Sequence, residues 1–262
     1  MNPSDGPWQH TCSVNDNEID TGNGLTPQTH LASHFALVED PRPIDTPWPN
    51  LSWPPRGDIH LEGRVVELTV AAAERDSEPL FAALDDDRVW EFVAGRPRSP
   101  VAMADLLTTQ IELGRFPWLV RLRVDYRGVP AGTIVGASAF LDVSPADARL
   151  EIGWTSYRPD LWGSAVNPDT KVVLLSYAFE VLGAGRVQLK TDVRNIRSQS
   201  AIAQLGAHYE GTLRRYQKRD DGTVRDTVMF SIIAEEWSTL RQRLNDRLDA
   251  ILDATFGPRN PA

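Results

Sequence analysis

The stretch Glu151-Ile-Gly-Trp-Thr-Ser-Tyr-Arg-Pro-Asp-Leu-Trp-Gly-Ser-Ala-Val-Asn-Pro168 decides how this chain is read. A strand runs into a loop of small residues, and the loop runs into a helix. Gly163, Ser164 and Ala165 let the backbone approach a ligand closely. Asn167 is placed to cap the helix, and Pro168 suits its first position. Free N–H groups at such a helix start form a site for anions, phosphates above all. Small residues also serve junctions that bind nothing, so the stretch alone leaves both readings open.

Outward from this stretch the pattern stays regular. Pro168 to Leu182 is apolar on more than one stripe, which predicts a helix buried against a sheet and ended by Gly183. Arg186 to Thr191 reads as a short strand, and Asn195 to Leu205 as a helix closed by Gly206. Glu210 to Lys218 and Thr223 to Ile233 flank Asp220-Asp221-Gly222, a hairpin turn signal. From Ala234, Trp237, Leu240, Leu244, Leu248 and Ile251 recur at helical steps. Upstream, Arg64 to Thr69 predicts a strand, and Ala71 to Leu84 and Pro100 to Leu113 predict helices. Trp118 to Tyr126, Ala131 to Val143 and Ala148 to Tyr157 predict three strands. An antiparallel meander followed by strands alternating with helices predicts an α/β fold on one mixed sheet.

The first 56 residues differ. They hold nine of the nineteen prolines and no sustained periodicity. This predicts a Pro-rich acidic extension over 1–56, a domain over 57–252 and a tail over 253–262. Trp48, Leu51 and Trp53 are candidates for docking the extension; a loosely attached arm is the other reading.

Composition narrows the class. At 41% hydrophobic residues the chain can bury a sizeable core. The formal net charge of −9 argues against a nucleic-acid surface. Between Met1 and Arg56 seven acidic residues face two arginines, so five of the nine net charges lie in the extension. There is no run of eighteen apolar residues and no secretory signal at the N-terminus, and the single cysteine, Cys12, has no intramolecular partner. The expectation is a cytoplasmic protein with no membrane association.

The quoted stretch resembles the pyrophosphate-binding motif of the GNAT acetyltransferases, Q/R-x-x-G-x-G/A. Gly163 and Ala165 match its small positions, and Leu161-Trp162-Gly163 is similar to the Tyr-Trp-Gly of the RimJ/RimL branch. Asp160 stands where Gln or Arg is usual. Downstream, Asn195-Ile-Arg-Ser198 followed by Leu205-Gly206 and Glu210-Gly211 resembles the family's second motif, with Ala207 in place of Phe. The resemblance covers most of residues 60–235. It implies a strongly twisted mixed sheet flanked by helices, with acetyl-CoA as donor and CoA as product.

The same resemblance assigns roles. Gly163, Ser164, Ala165, Val166 and Asn167 would hold the phosphates, beside Trp162, with Lys171 or Arg158 supplying charge. Amides of Trp154, Thr155 and Ser156 would polarise the thioester carbonyl. Glu151 would deprotonate the amine; the alternative is a solvent-facing carboxylate or a partner of Arg149. Many family members carry a Tyr seven residues after the motif Asn, as acid to the leaving thiolate. Ile202 stands there, leaving Ser198, or a water held by Asn195. Trp90, Phe92 and Trp118 are candidates for an acceptor pocket, or core residues. His10, Cys12, His30 and His34 lack a metal-site pattern, so no metal is expected. The acceptor implied is a protein N-terminus or a small-molecule amine. The rival is a non-catalytic acyl-CoA-binding regulatory module. A homodimer is implied by resemblance only.

Overall fold

The computed structural model describes residues 47–257. Eight strands form one sheet in the order β1-β2-β3-β4-β5-β6-β8-β7, antiparallel except between β5 and β6. The strands are β1 (His60–Glu62), β2 (Val66–Val70), β3 (Phe116–Leu122), β4 (Ile134–Ser144), β5 (Arg149–Tyr157), β6 (Arg186–Asp192), β7 (His208–Lys218) and β8 (Val224–Ile233). The helices are α1 (Ala73–Leu84), α2 (Asp87–Trp90), α3 (Pro100–Glu112), α4 (Val166–Ser176), α5 (Ile196–Ala203) and α6 (Ala234–Phe256). The α/β class and mixed sheet agree with the sequence. The edge strand β1 and the short α2 have too few residues for a periodic signal.

Helices cover both faces. Leu80, Leu84, Met103 and Leu107 of α1 and α3 pack on Leu119, Ile134 and Ala137. On the other face α4 and α6 bury Leu174, Leu175, Leu240, Leu244 and Leu248 against Leu150, Ile152, Val187 and Ile232. Strand β4 is buried from Ile134 to Leu141 because both its faces are covered. The apolar stripe of α6 is satisfied within the chain. None of the described helices is long and apolar enough to cross a membrane.

A parallel pair needs a crossover, and α4 provides it between β5 and β6. After Ser176 the helix widens into a π-helical segment, Tyr177–Val181. It closes at Gly183, whose φ is +75°, with Ala184 N–H donating to Ala178 O at 2.9 Å. Segment 47–56, placed by composition in the extension, lies on the sheet. Leu51 is buried, Ser52 N–H donates to Leu182 O at 2.7 Å, and Trp53 meets Phe116 and Phe140 edge-on. Trp48 remains exposed, with its indole N–H on Ala146 O. At the other end, α6 continues past residue 252 to Phe256, whose ring lies 5.8 Å from Tyr126.

Asp169 ties α4 to the start of β2. Its buried Oδ2 accepts from Val65 N–H at 2.7 Å and Val66 N–H at 3.0 Å. Asp169→Ala leaves these amides unsatisfied in the core, and the expected loss of stability is about 3 kcal/mol. Urea denaturation measures it; a loss under about 1 kcal/mol would show that water replaces the carboxylate.

Candidate active site

Strands β5 and β6 pair through only three positions: Arg149 with Arg186, Leu150 with Val187, and Glu151 with Gln188. Beyond Glu151 they separate, and a cavity of about 450 Å³ opens in the gap. Ile152 to Tyr157 and Leu189 to Asp192 form its two walls. The gap is sustained on the β5 side by a bulge. Ala137 pairs with Ser156 but Ala139 with Gly153, so β5 carries an extra residue there. Trp154 takes up the bulge with φ of +50°, an uncommon conformation for so bulky a side chain. Strand edges that lose their partners this way present backbone donors and acceptors to a ligand.

Glu151 lies at the apex, 1% exposed. Its Oε2 accepts from Lys190 Nζ at 2.7 Å and from Gln188 Nε2 at 3.2 Å. Neither donor takes Oε1, which lies against Gly153; a β-carbon there would come within 2.6 Å of it. Burial raises the Glu151 pKa, and the nearby Asp142 adds to this, against the opposing pull of Lys190. Lys190 also donates to Asp142 at 2.9 Å. Burial works against its ammonium, but Glu151 and Asp142 outweigh burial and hold its pKa above the ordinary value. Glu151 is therefore neither solvent-facing nor paired with Arg149.

The loop after β5 is more fully self-satisfied than its sequence implies. The helix begins at Val166, with Ala165 as its N-cap, so Asn167 lies in the first turn rather than capping it. Pro168 is tolerated there because first-turn amides have no intrahelical partner. Ser164 Oγ donates to Leu161 O at 2.6 Å and accepts from Val166 N–H at 3.2 Å. Ala165 N–H donates to Tyr126 Oη at 3.1 Å. Ser164, Ala165 and Val166 are thus buried structural residues, away from the cavity surface. Trp162, Gly163 and Asn167 do reach it. Gly163 has φ of +65° and open space where a β-carbon would stand.

The cationic residues expected at the phosphates also need revision. Arg158 is engaged through two hydrogen bonds, at 2.7 and 2.8 Å, with Asp160 and does not line the cavity. Lys171 lines it but is only 4% exposed, and its Nζ donates to Thr155 Oγ1 at 2.7 Å. Thr155 and Ser138 share a further hydroxyl bond of 2.8 Å. No carboxylate pairs with Lys171 among the described residues, and burial lowers its pKa to about 7. Arg197 is the cation the phosphate reading passes over, although it stands inside the motif Asn195-Ile-Arg-Ser198. Its guanidinium lies over the Trp162 ring at 3.5 Å, at the cavity wall.

Asn195 caps α5, its Oδ1 accepting from Ser198 N–H at 2.9 Å. Asn195, Ser198 and Ile202 all line the cavity. Of the three aromatic acceptor candidates, only Phe92 does. Trp118 is fully buried among Phe116, Phe140 and Tyr177, because strand alternation turns it to the α4 face. Trp90 is buried, its indole N–H bonded to Leu84 O at 2.7 Å. In their place stand Asp142, Lys190, Arg115 and Arg225. Their meeting depends on strand register, which no local pattern reveals. The described residues include no cluster of His, Cys, Asp and Glu suited to a metal. His10, Cys12, His30 and His34 lie outside the described residues.

Residues 67–208 match the family model of the acetyltransferase (GNAT) domain. The uncharacterised N-acetyltransferase p20 of Bacillus licheniformis is 26% identical over 179 residues, covering 65% of this chain and 95% of its own. A candidate acetyltransferase from T. thermophilus is 35% identical in its crystal structure, covering 75% of this chain and 100% of its own, with a TM-score of 0.65. RimJ of Mycobacterium smegmatis, solved in complex with CoA-disulfide, has a TM-score of 0.59 at 21% identity, over 72% of this chain and 92% of its own. This last likeness is one of fold. The chain belongs to the GNAT acetyltransferase family, whose general reaction moves an acetyl group from acetyl-CoA to an amine.

Lys171 gives the site a pH signature. Its folded pKa of about 7 lies below its ordinary value of 10.5, so the unfolded chain holds the extra proton between these limits. Stability from this group is lowest below pH 7 and is recovered as the pH rises towards 10.5. Lys171→Met should therefore raise the melting temperature at neutral pH, with a gain that shrinks as the pH rises. Calorimetry across that range checks it; a gain independent of pH would mean that packing, not charge, is responsible.

Proposed function

We propose that this protein is an acetyl-CoA-dependent N-acetyltransferase that passes the acetyl group directly to a primary amine. The observation that carries this is the cavity between β5 and β6, with Glu151 at its apex and Trp162, Gly163 and Asn167 at its far end. The pantetheine arm would pair with the unpartnered strand edges. The pyrophosphate would meet the Gly163 and Asn167 amides, with Arg197 supplying charge in place of Arg158. Amides of the bulge from Trp154 to Ser156 would polarise the thioester carbonyl.

Glu151 Oε1 takes the proton from the incoming ammonium, directly or through a water, while Lys190 holds the carboxylate in place. The neutral amine then attacks the thioester carbon, the C–S bond breaks, and the second amine proton passes by proton relay to the departing thiolate. A thiol of reference pKa about 8.5 needs little assistance, so Ser198 or a water beside Asn195 suffices as its proton source. Direct transfer suits a site with no cysteine among the described residues. The acceptor is a protein N-terminus, as resemblance to the RimJ/RimL branch implies, or a small amine. We take the catalytic domain to include the docked segment from Pro47 and all of α6 to Phe256, in a cytoplasmic protein. A homodimer would need a surface other than the apolar stripe of α6, and light scattering at micromolar concentration tests it.

Glu151→Gln should lower kcat about 10²–10⁴-fold with little change in the KM for acetyl-CoA. The loss should shrink at high pH, where more acceptor is neutral. Ser198→Ala should cost less. Acetyl-CoA should raise the melting temperature of wild type and of both variants, because it binds only the folded state. Gly163→Val should abolish that shift, since a side chain at positive φ would strain the loop and occupy the ligand's approach. A melt unmoved by saturating acetyl-CoA would sink the proposal. Binding without turnover of any amine or peptide would favour a regulatory CoA-binding module.

A further inference from the structure

The cavity is lined by a cation that the proposed transfer reaction does not use. Arg225 stands near the start of β8 and lines the cavity. Thr227 pairs with Asp192 of β6, and Met229 with Lys190. Strand alternation therefore puts Arg225, Thr227 and Met229 on the sheet face that carries Lys190 and Glu151. That face is turned away from α4; Val228 and Phe230, on the other, pack into the core with α4 and α6. Arg225 is held through Nε, which donates to Thr227 Oγ1 at 3.1 Å. Its two terminal nitrogens have no hydrogen-bond or ion-pair partner among the described residues.

Two of the neighbouring charges are already committed. Lys190 is held by Glu151 and Asp142. Asp192 is gripped by Arg219 at 2.6 and 2.7 Å. Arg225 combines a cavity position, a side chain held through Nε and two terminal nitrogens without a hydrogen-bond or ion-pair partner among the described residues. Burial depresses its pKa and outweighs the opposing pull of Asp192 and Glu151, neither of which is hydrogen-bonded to it. A planar fork of this kind is best completed by an oxyanion accepting two hydrogen bonds. On the proposed reading the donor's phosphates lie elsewhere, at the loop that opens α4, where Arg197 stands over Trp162.

We infer that the acceptor amine also bears an anionic group, a carboxylate or phosphate, which Arg225 binds while the amine faces Glu151. This rests on the acetyltransferase reading and narrows it to zwitterionic acceptors. An amine without an anion would leave the guanidinium desolvated and unpaired, and would pay for that in affinity.

The test uses matched pairs: an amino acid with its amide, and an aminoalkyl phosphate with the corresponding amino alcohol. Each is titrated calorimetrically into the full-length protein saturated with CoA, and kcat/KM is measured with acetyl-CoA. Wild type should prefer the anionic member of at least one pair roughly 10-fold or more in both readings. Which pair responds tells carboxylate from phosphate. Arg225→Gln should bring that ratio close to one and leave the acetyl-CoA melt shift unchanged. Equal binding of both members of each pair by wild type would overturn the inference. So would an Arg225→Gln variant that raises the KM for acetyl-CoA equally with every acceptor, since Arg225 would then serve the donor. Failure of the acetyltransferase reading looks different: acetyl-CoA gives no melt shift and no amine is turned over.

Discussion

Two parallel strands that stop pairing after three residues govern this molecule. A sheet interior cannot leave backbone amides and carbonyls dry and unpaired, because each would cost the free energy of a lost hydrogen bond. The fold meets this at the parting of β5 and β6 by keeping the gap open as a cavity. The surrounding features support that opening. The bulge at Trp154 bends one wall outward, and α4 and α5 both start beyond the ends of the parted strands. The Lys190–Glu151 pair closes the apex, where the two strands are still in register.

Three of the cations that line the cavity stand without an ion pair. Arg197 lies over an indole, Arg225 donates through Nε to a threonine, and Lys171 Nζ donates to a threonine hydroxyl. Among the described residues none of the three forms an ion pair with a carboxylate, and burial lowers the pKa of each. Salt bridges elsewhere are mostly at the surface and contribute little. Here desolvated cations without an ion pair work against stability, and an anionic ligand would offset that cost. The acidic formal charge of the whole chain, −9, gives no hint of this local excess of cations.

The fold is largely legible in the sequence because its signals are local. The long apolar run of α4, the Asp-Asp-Gly hairpin and the stripe of α6 each depend on neighbours within a few residues. The sequence places the start of α4 two residues late because proline suits any first-turn position, and Pro168 is the third residue of the helix. The phosphate loop is visible in the sequence, but its hydrogen bonding is not. The hydroxyl that takes Ala165 N–H comes from Tyr126, far upstream. Trp118 cannot be separated from a pocket aromatic until the register of β3 fixes its face. Lys190 and Arg225 come near Glu151 only through the pairing of β5 with β6 and of β6 with β8. Such coincidences are tertiary and leave no spacing to detect.

The contact between Arg197 and Trp162 reaches beyond chemistry into optics. An indole's emission responds to charge and water at its ring, and this ring is at once a cavity wall and the seat of a guanidinium. A ligand seated as proposed, with its phosphates on Arg197, would draw the cation from the ring. The emission of Trp162, one of eight tryptophans in the chain, should then report the filling of the site with no label attached.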